Sequence, residues 1–273
     1  MAGERSGKTM CALRIATVGD GDMDVYNNIG TFYPGGNAVN VGVHLYRLGV
    51  DTAFVGAVGT DDYGSRVIEA LKQEGLDTSH IQILPGETAV SNVEFIDNER
   101  VFGEYTDGVM LDFKLREEDI DFLCGYTLVH SAMWGMVHND LHKLRSRGVL
   151  VSFDFADKLE NNPVTEIAIE NCDYAIFSYT EDDSYIRGFL KRMQARGPKV
   201  VVATLGANGS LAYDGQEYTT CGIVPVKVLD TMGAGDSWIA GFITGIVKGL
   251  PLKNAMQLGA QTASETIQYM GAW

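Results

Sequence analysis

Short apolar runs rich in β-branched residues recur along this chain, at Ala12 to Val18, Thr52 to Val58, Thr127 to Ala132, Val149 to Phe155, Tyr174 to Phe177 and Val200 to Leu205. Helix-patterned stretches lie between them, at Asp62 to Glu74 and near Asp140, Val164 and Asp182. Near-continuous apolar strands are buried on both faces, and strands that alternate with helices build a mostly parallel sheet covered on both sides. At 273 residues the chain is close to the upper limit for one hydrophobic core. It shows no internal repeat, low-complexity segment or linker. The expectation is a single α/β domain over residues 10–273, ahead of which residues 1–9 form a polar, glycine-containing extension.

The rhythm is interrupted twice, at about residues 25–34 and 87–106. The second interruption reads as a hairpin, with Thr88 to Ile96 and Arg100 to Tyr105 alternating about the turn Asp97-Asn98-Glu99. An antiparallel excursion from a parallel sheet is a natural lid over a site. Its open edges also offer a surface for a homodimer.

The most specific string is Asp230-Thr231-Met232-Gly233-Ala234-Gly235-Asp236, between the apolar run Ile223 to Leu229 and a helix-patterned segment from Ser237 to Lys248. A glycine-rich turn at a helix start presents unpaired N–H groups and a dipole end worth roughly +0.5 charge, which suits a phosphate. Asp236 then sets a carboxylate beside an anion site. That arrangement is poor for simple anion binding. It makes sense if the carboxylate takes a proton from a hydroxyl while the N–H groups stabilise a moving phosphoryl group.

A second cluster lies near the start. Gly19-Asp20-Gly21-Asp22-Met23-Asp24 mimics a calcium loop, but Val25 and Thr31 stand where the turn glycine and bidentate Glu belong. A carboxylate at a strand exit is instead placed for ligand hydroxyls. Asp24 is the candidate, with Asp20 and Asp22 read as turn or capping residues. Gly35 and Gly36 of Pro34-Gly35-Gly36-Asn37-Ala38-Val39-Asn40 allow close backbone approach, and Asn40 can both donate to and accept from sugar hydroxyls.

Several chemistries are set aside. Gly3-Glu4-Arg5-Ser6-Gly7-Lys8-Thr9 is one residue short of a phosphate-binding loop and follows no strand. His138 and His142 have zinc-helix spacing, but Asn139 replaces the catalytic Glu and no third ligand is evident. The net charge of −15 disfavours nucleic acid and anionic membrane as partners and tolerates a cationic small molecule. No apolar run reaches the ~18 residues of a membrane span. Scattered Cys11, Cys124, Cys172 and Cys221, with no apolar secretory core at the start, point to a cytoplasmic protein with reduced thiols.

Gly35-Gly36 with Asn40, Thr204-Leu205-Gly206-Ala207-Asn208-Gly209 and Asp230 to Asp236 stand in this order, and together they resemble the ribokinase-like (PfkB-type) sugar kinases over essentially Met10 to Trp273. Within that family three segments are most similar to the fructoselysine kinases, which phosphorylate a glycated lysine with ATP and magnesium. These are Arg100 to Val109, Phe153-Asp154-Phe155-Ala156-Asp157-Lys158 and Thr266 to Trp273. The resemblance implies Asp236 as general base and an anion hole from Gly233, Ala234 and Gly235. It implies sugar contacts from Asp24, Gly35, Gly36 and Asn40, and a nucleotide site at Thr204, Gly206 and Gly209. Asp230 would order the loop and, in some members, a monovalent cation.

Two departures stand out. The family's Asn-x-x-Glu appears as Ser178-Tyr179-Thr180-Glu181, which keeps Glu181 to hold magnesium through water but loses the amide. The sequence stops just after the Gly-Ala at which longer members continue, which weakens the case for a complete monovalent-cation site. The acids Glu94, Glu99, Glu104 and Asp107 would attract a cationic substrate, with Glu104 as the named contact. The alternatives are a kinase for another sugar or a nucleoside, and a sugar sensor without catalysis. Asp236 argues against the sensor, since pure binding needs no base there.

Overall fold

The structure, a computed structural model, describes residues 13–96 and 99–273. The extension at 1–9, the opening of the first expected strand and the turn residues Asp97 and Asn98 lie outside the described residues, as does the side chain of Glu99. Strand β1 (Arg14–Gly19) leads into a hairpin, β2 (Asp22–Tyr26) and β3 (Thr31–Gly35), and then α1 (Asn37–Arg47). Next come β4 (Asp51–Gly59), α2 (Asp62–Glu74), β5 (Ile81–Leu84) and the second hairpin, β6 (Ala89–Ile96) with β7 (Glu99–Thr106). The alternation resumes with α3 (Glu117–Leu123), β8 (Leu128–Ala132), α4 (Leu141–Ser146), β9 (Leu150–Asp154), α5 (Pro163–Ala168), β10 (Tyr174–Ser178), α6 (Ser184–Gln194) and β11 (Val200–Thr204). The antiparallel strands β12 (Ser210–Tyr213) and β13 (Tyr218–Cys221) precede the packed pair α7 (Ala234–Val247) and α8 (Leu252–Thr266).

Nine strands form the main sheet in the order β13-β12-β11-β10-β9-β8-β1-β4-β5, parallel except for β12 and β13. Alternate residues of each strand feed opposite cores, as the pleat requires. On β11, Val201 and Ala203 join the layer holding Ile120, Leu144 and Phe189 of α3, α4 and α6, whereas Val200 and Val202 join Leu45, Phe242 and Met256 of α1, α7 and α8. The rings of Phe153, Phe155, Phe177 and Phe189 touch in series, tilted, stacked and edge-to-face in turn, and anchor the first layer, each contributing about 2–3 kcal/mol by leaving water.

The chain is an α/β protein with helices on both faces, as the βα alternation requires. Both interruptions come together as one four-stranded sheet, β3-β2-β6-β7. Its β3 carries exposed Phe32 and Tyr33. Strand β5, a short half-exposed edge, carries too weak a pattern to be read from sequence. The run Ile223 to Leu229 is not a strand despite its β-branched residues; it joins neither sheet, leaves Ile223, Val228 and Leu229 exposed, and is tied at its end by the Leu229 N–H, which donates to the Ile267 carbonyl at 2.8 Å.

The sheet fixes where ligands go. Strand β1 has β4 on one side and β8 on the other, so the order reverses there and a crevice opens at the strand ends. The loop after β1, the first turn of α1, the end of β9 and the first turn of α7 all meet at this crevice.

Candidate active site

The loop before α7 is built to leave an anion site open. Gly233 caps the helix at φ 68°, a left-handed geometry that favours glycine, and no side chain caps it. The N–H of Ala234 makes a long turn bond to the carbonyl of Thr231 at 3.3 Å. A β-carbon at Gly235 would meet no protein atom within 4 Å, so this edge of the turn faces free space. Asp230 orders the loop by accepting the N–H groups of Met232 at 3.0 Å and Gly271 at 2.8 Å.

Asp236 lies on the first turn of α7, facing α1. Asn37 and Asn40 are one turn apart on α1 and share a face. The Asn37 amide nitrogen donates to Asp236 Oδ1 at 2.8 Å and to Asp154 Oδ2 at 2.9 Å. Both of its N–H bonds are therefore directed at carboxylates. Its carbonyl must then accept from His130 Nε2, 3.2 Å away, which makes that nitrogen the protonated one. His130 Nδ1 in turn accepts from the Ser152 hydroxyl at 3.1 Å. Burial pushes His130 down to about 3, so the ring is neutral. The Asn40 amide nitrogen donates to Asp236 Oδ2 at 2.7 Å, and the Trp273 indole N–H donates to the Asn40 carbonyl at 3.0 Å.

These carboxylates are crowded. Removal from water, helped by the charges of Asp154, Asp20 and Asp24, pushes Asp236 up to about 8, against the pull of the Asn40 bond. Removal from water also lifts Asp154 to about 6. A carboxylate that titrates near neutral pH is suited to take a proton and hand it on. Asp20 caps α1 through the N–H of Asn37 at 2.8 Å, as its sequence position suggests. Asp22 does not turn or cap anything. It stands on β2 with Asp24, two residues on and so on the same face. It is 3% exposed, accepts from the Ser91 hydroxyl at 2.8 Å, and is raised well above the usual range by burial and by Asp24 and Asp20.

The glycines before α1 fit closely. A β-carbon at Gly35 would stand 2.5 Å from Asp24 Oδ2, and one at Gly36 2.6 Å from the Asp20 carbonyl oxygen. On β7, Tyr105 is half-buried against the first core layer and is raised by burial and then by the charges of Asp20 and Asp22. Glu104, the next residue along β7, alternates to the other face and is exposed. The negative field at the crevice thus comes from β2 and the loop before it.

Beyond the anion loop opens a cavity of about 590 Å³. Thr204, Gly206 and Gly209 line it, as do Ser178 and Tyr179, and Thr231, Ala234 and Gly235 close its near end. Val224, Val226, Trp238, Ala260 and Ile267 make its apolar walls. A flat base between such walls with its phosphates on the α7 N-terminus fits this shape. Glu181, two residues past Tyr179, is exposed.

The family model for the pfkB family carbohydrate kinases matches residues 6–273. The chain belongs to the pfkB family of carbohydrate kinases. It is 44% identical to the fructoselysine 6-kinase of Shigella flexneri over 259 residues, covering 95% of this chain and 99% of that one. It is 32% identical to the fructosamine kinase FrlD of Bacillus subtilis (strain 168) over 266 residues, covering 96% and 93%. Its fold is similar to that of the Arabidopsis thaliana ribokinase solved with ribose and ATP, at a TM-score of 0.84 and 20% identity, covering 96% of this chain and 95% of that one. This pfkB family member is accordingly an ATP-dependent sugar kinase with the ribokinase-like fold.

Four residues bonded into this candidate site escape a reading of the sequence. Asp154 carries the same signal as Asp24, a carboxylate at a strand exit. Asn37 lies in the same motif as Asn40, three residues earlier, where one helical turn brings both to one face. His130 and Trp273 carry no local signal, because each acts through a partner at least 93 residues away. His138 and His142 do not share a helix: α4 starts at Leu141, His138 precedes it, and His142 Nδ1 pairs with the Asn139 carbonyl at 2.8 Å.

Proposed function

We propose that this kinase transfers the γ-phosphoryl group of ATP to the 6-hydroxyl of fructoselysine, directly and in line. The observation that carries the reading is Asp236, poised between two amide donors and the open N-terminus of α7. Asp236 takes the hydroxyl proton as the oxygen attacks the γ-phosphorus, and the bond from phosphorus to the ADP oxygen breaks. The N–H groups of Gly233, Ala234 and Gly235 and the helix dipole oppose the charge that develops on the phosphoryl oxygens. Asp24, Gly35, Gly36 and Asn40 hold the sugar, and Thr204, Gly206 and Gly209 hold the nucleotide. Glu181 would hold magnesium through water, and the ion would supply positive charge against the phosphates. Asp230 keeps the loop in place with or without a monovalent cation beside it.

The acidic crevice and the activities named for the relatives support this substrate. Fructoselysine carries an amine beside the sugar and an ammonium beyond it. Asp22 and Asp24 favour such cations over neutral sugars. ADP release with ATP and magnesium, compared for fructoselysine, fructose, ribose and adenosine, tests this. Fructoselysine should lead fructose by ~10-fold or more in kcat/KM, the worth of one charged hydrogen bond. A preference for fructose, ribose or adenosine would leave the kinase and remove this substrate.

The same proposal extends to the cell and the assembly. The described cysteines are free thiols, in keeping with a reducing cytoplasm, and among the described residues no helix is long and apolar enough to cross a membrane. The open lid edge, with Phe32 and Tyr33 exposed on β3, supports a homodimer. Sedimentation should then give twice the chain mass of 29.7 kDa, and a value that stays at one chain mass overturns the dimer.

A further inference from the structure

Three consecutive residues, Gly271 to Trp273, make one hydrogen bond each to the catalytic elements. The Gly271 N–H donates to Asp230 Oδ2 at 2.8 Å. The Ala272 carbonyl accepts from His44 Nε2 on α1 at 2.8 Å. The Trp273 indole donates to the Asn40 carbonyl at 3.0 Å. The segment also abuts the anion loop, since a β-carbon at Gly233 would stand 2.7 Å from the Ala272 oxygen. Arg47 of α1 lies over the indole, 5.9 Å from a ring centroid.

An asparagine amide has two ends of nearly equal shape and opposite hydrogen-bonding sense. Either end of Asn40 could face Asp236. A carbonyl there would repel the carboxylate, and an N–H stabilises it. Indole has one donor and no acceptor, so it accepts only the carbonyl end of Asn40 as its partner. That choice sends the NH2 end to Asp236 Oδ2, 2.7 Å away. At the other oxygen the order is reversed, since Asn37 is oriented by its two carboxylates and sets the tautomer of His130.

We propose that Trp273 is a positioning residue for phosphoryl transfer: its indole N–H locks the Asn40 amide so that the second oxygen of Asp236 meets an N–H donor and not a carbonyl. The inference rests on Asp236 acting as the base. The groups that face Asp236 are Asn37 and Asn40 from α1, Asp154 from β9, Asp20 behind β1, and Asp22 and Asp24 from β2. Their carboxylates all disfavour ionisation of Asp236, so loss of one donor is felt as a higher titration point.

The test is W273F, which keeps an aromatic ring and removes the N–H. The acid limb of kcat against pH should move up by about one pH unit, so that kcat on the acid side falls about tenfold, with the ATP KM unchanged. N40A should show the same displaced limb, and W273F added to N40A should change nothing further, because Trp273 acts through Asn40. An unmoved limb in W273F overturns the proposal, as does a W273F effect of equal size in the N40A background. Where W273F loses its cooperative melt, N40A alone decides: a wild-type limb in N40A overturns the proposal. D236N separates the two levels. If it turns over normally, the base assignment and this inference both fall. If it is inactive while W273F behaves as wild type, only this inference falls.

Discussion

Replacing Asp236 with asparagine should lower turnover by ~10²-fold or more while ATP and sugar still bind. The substitution keeps the shape of the side chain and leaves the anion loop, Gly233 to Gly235, in place. It removes only the group that can take the hydroxyl proton. Wild-type turnover should rise with pH as Asp236 ionises, close to 8 in the free enzyme, and the variant should lose that dependence. The sign follows from the chemistry, since the base works only when deprotonated. With Asp154 at about 6 and Asp20, Asp22 and Asp24 nearby, the titration belongs to the cluster as a whole. Initial rates across pH and calorimetric binding of each substrate measure both halves. Full activity in D236N removes Asp236 from the mechanism, and loss of binding together with turnover makes it a structural residue.

G36A should be among the most damaging single methyl additions at the site. Gly36 sits at φ 99°, ψ 138°, a conformation open to glycine and hardly any other residue. Its added carbon would stand 2.6 Å from the Asp20 carbonyl, which is backbone and cannot swing aside. Strain and overpacking together should cost about 2–3 kcal/mol and lower the melting temperature by roughly 4–10 °C. Turnover should fall more than tenfold in the folded fraction, because displacing Asp20 uncaps α1 and moves Asn37 and Asn40. G30A is the control. Gly30 also has positive φ, 67°, but a β-carbon there meets nothing within 4 Å, so the cost should stay near ~1 kcal/mol. Thermal melts of the two variants compare them directly, and equal melting temperatures would refute the role given to the Asp20 contact.

The mostly parallel sheet, the hairpin of β6 and β7 and the glycine-rich turn into α7 were legible because each rests on local periodicity or on a short motif. Asp62 to Glu74 is helical over the range its pattern marks, with Asp61 capping it through the N–H of Gly64. Asp22 was misread because a segment dense in Gly and Asp looks like a loop. It is a strand only because β3 and β6 pair with it on both sides, and strand pairing is not a local property. The run Ile223 to Leu229 shows the opposite case: its β-branched composition suits a strand, yet it joins neither sheet and Ile223, Val224, Val226 and Val228 line the cavity. Glu104 was chosen for its charge alone. Which face of β7 it occupies depends on the register with β6, a tertiary property.

The two amides that meet Asp236 come from residues 199 and 196 positions earlier in the chain, and the bonds at Ala272 and Trp273 reach back 228 and 233. The βα units around them close over far shorter loops and can gather first. Contacts of such sequence separation carry the largest loop-closure cost and form late. A partly assembled chain would hold helices, much of its sheet and even a phosphate-sized turn, yet its base would face no amide donors. Phosphoryl transfer is therefore a property of the closed chain alone, and in folding time it belongs to the last event.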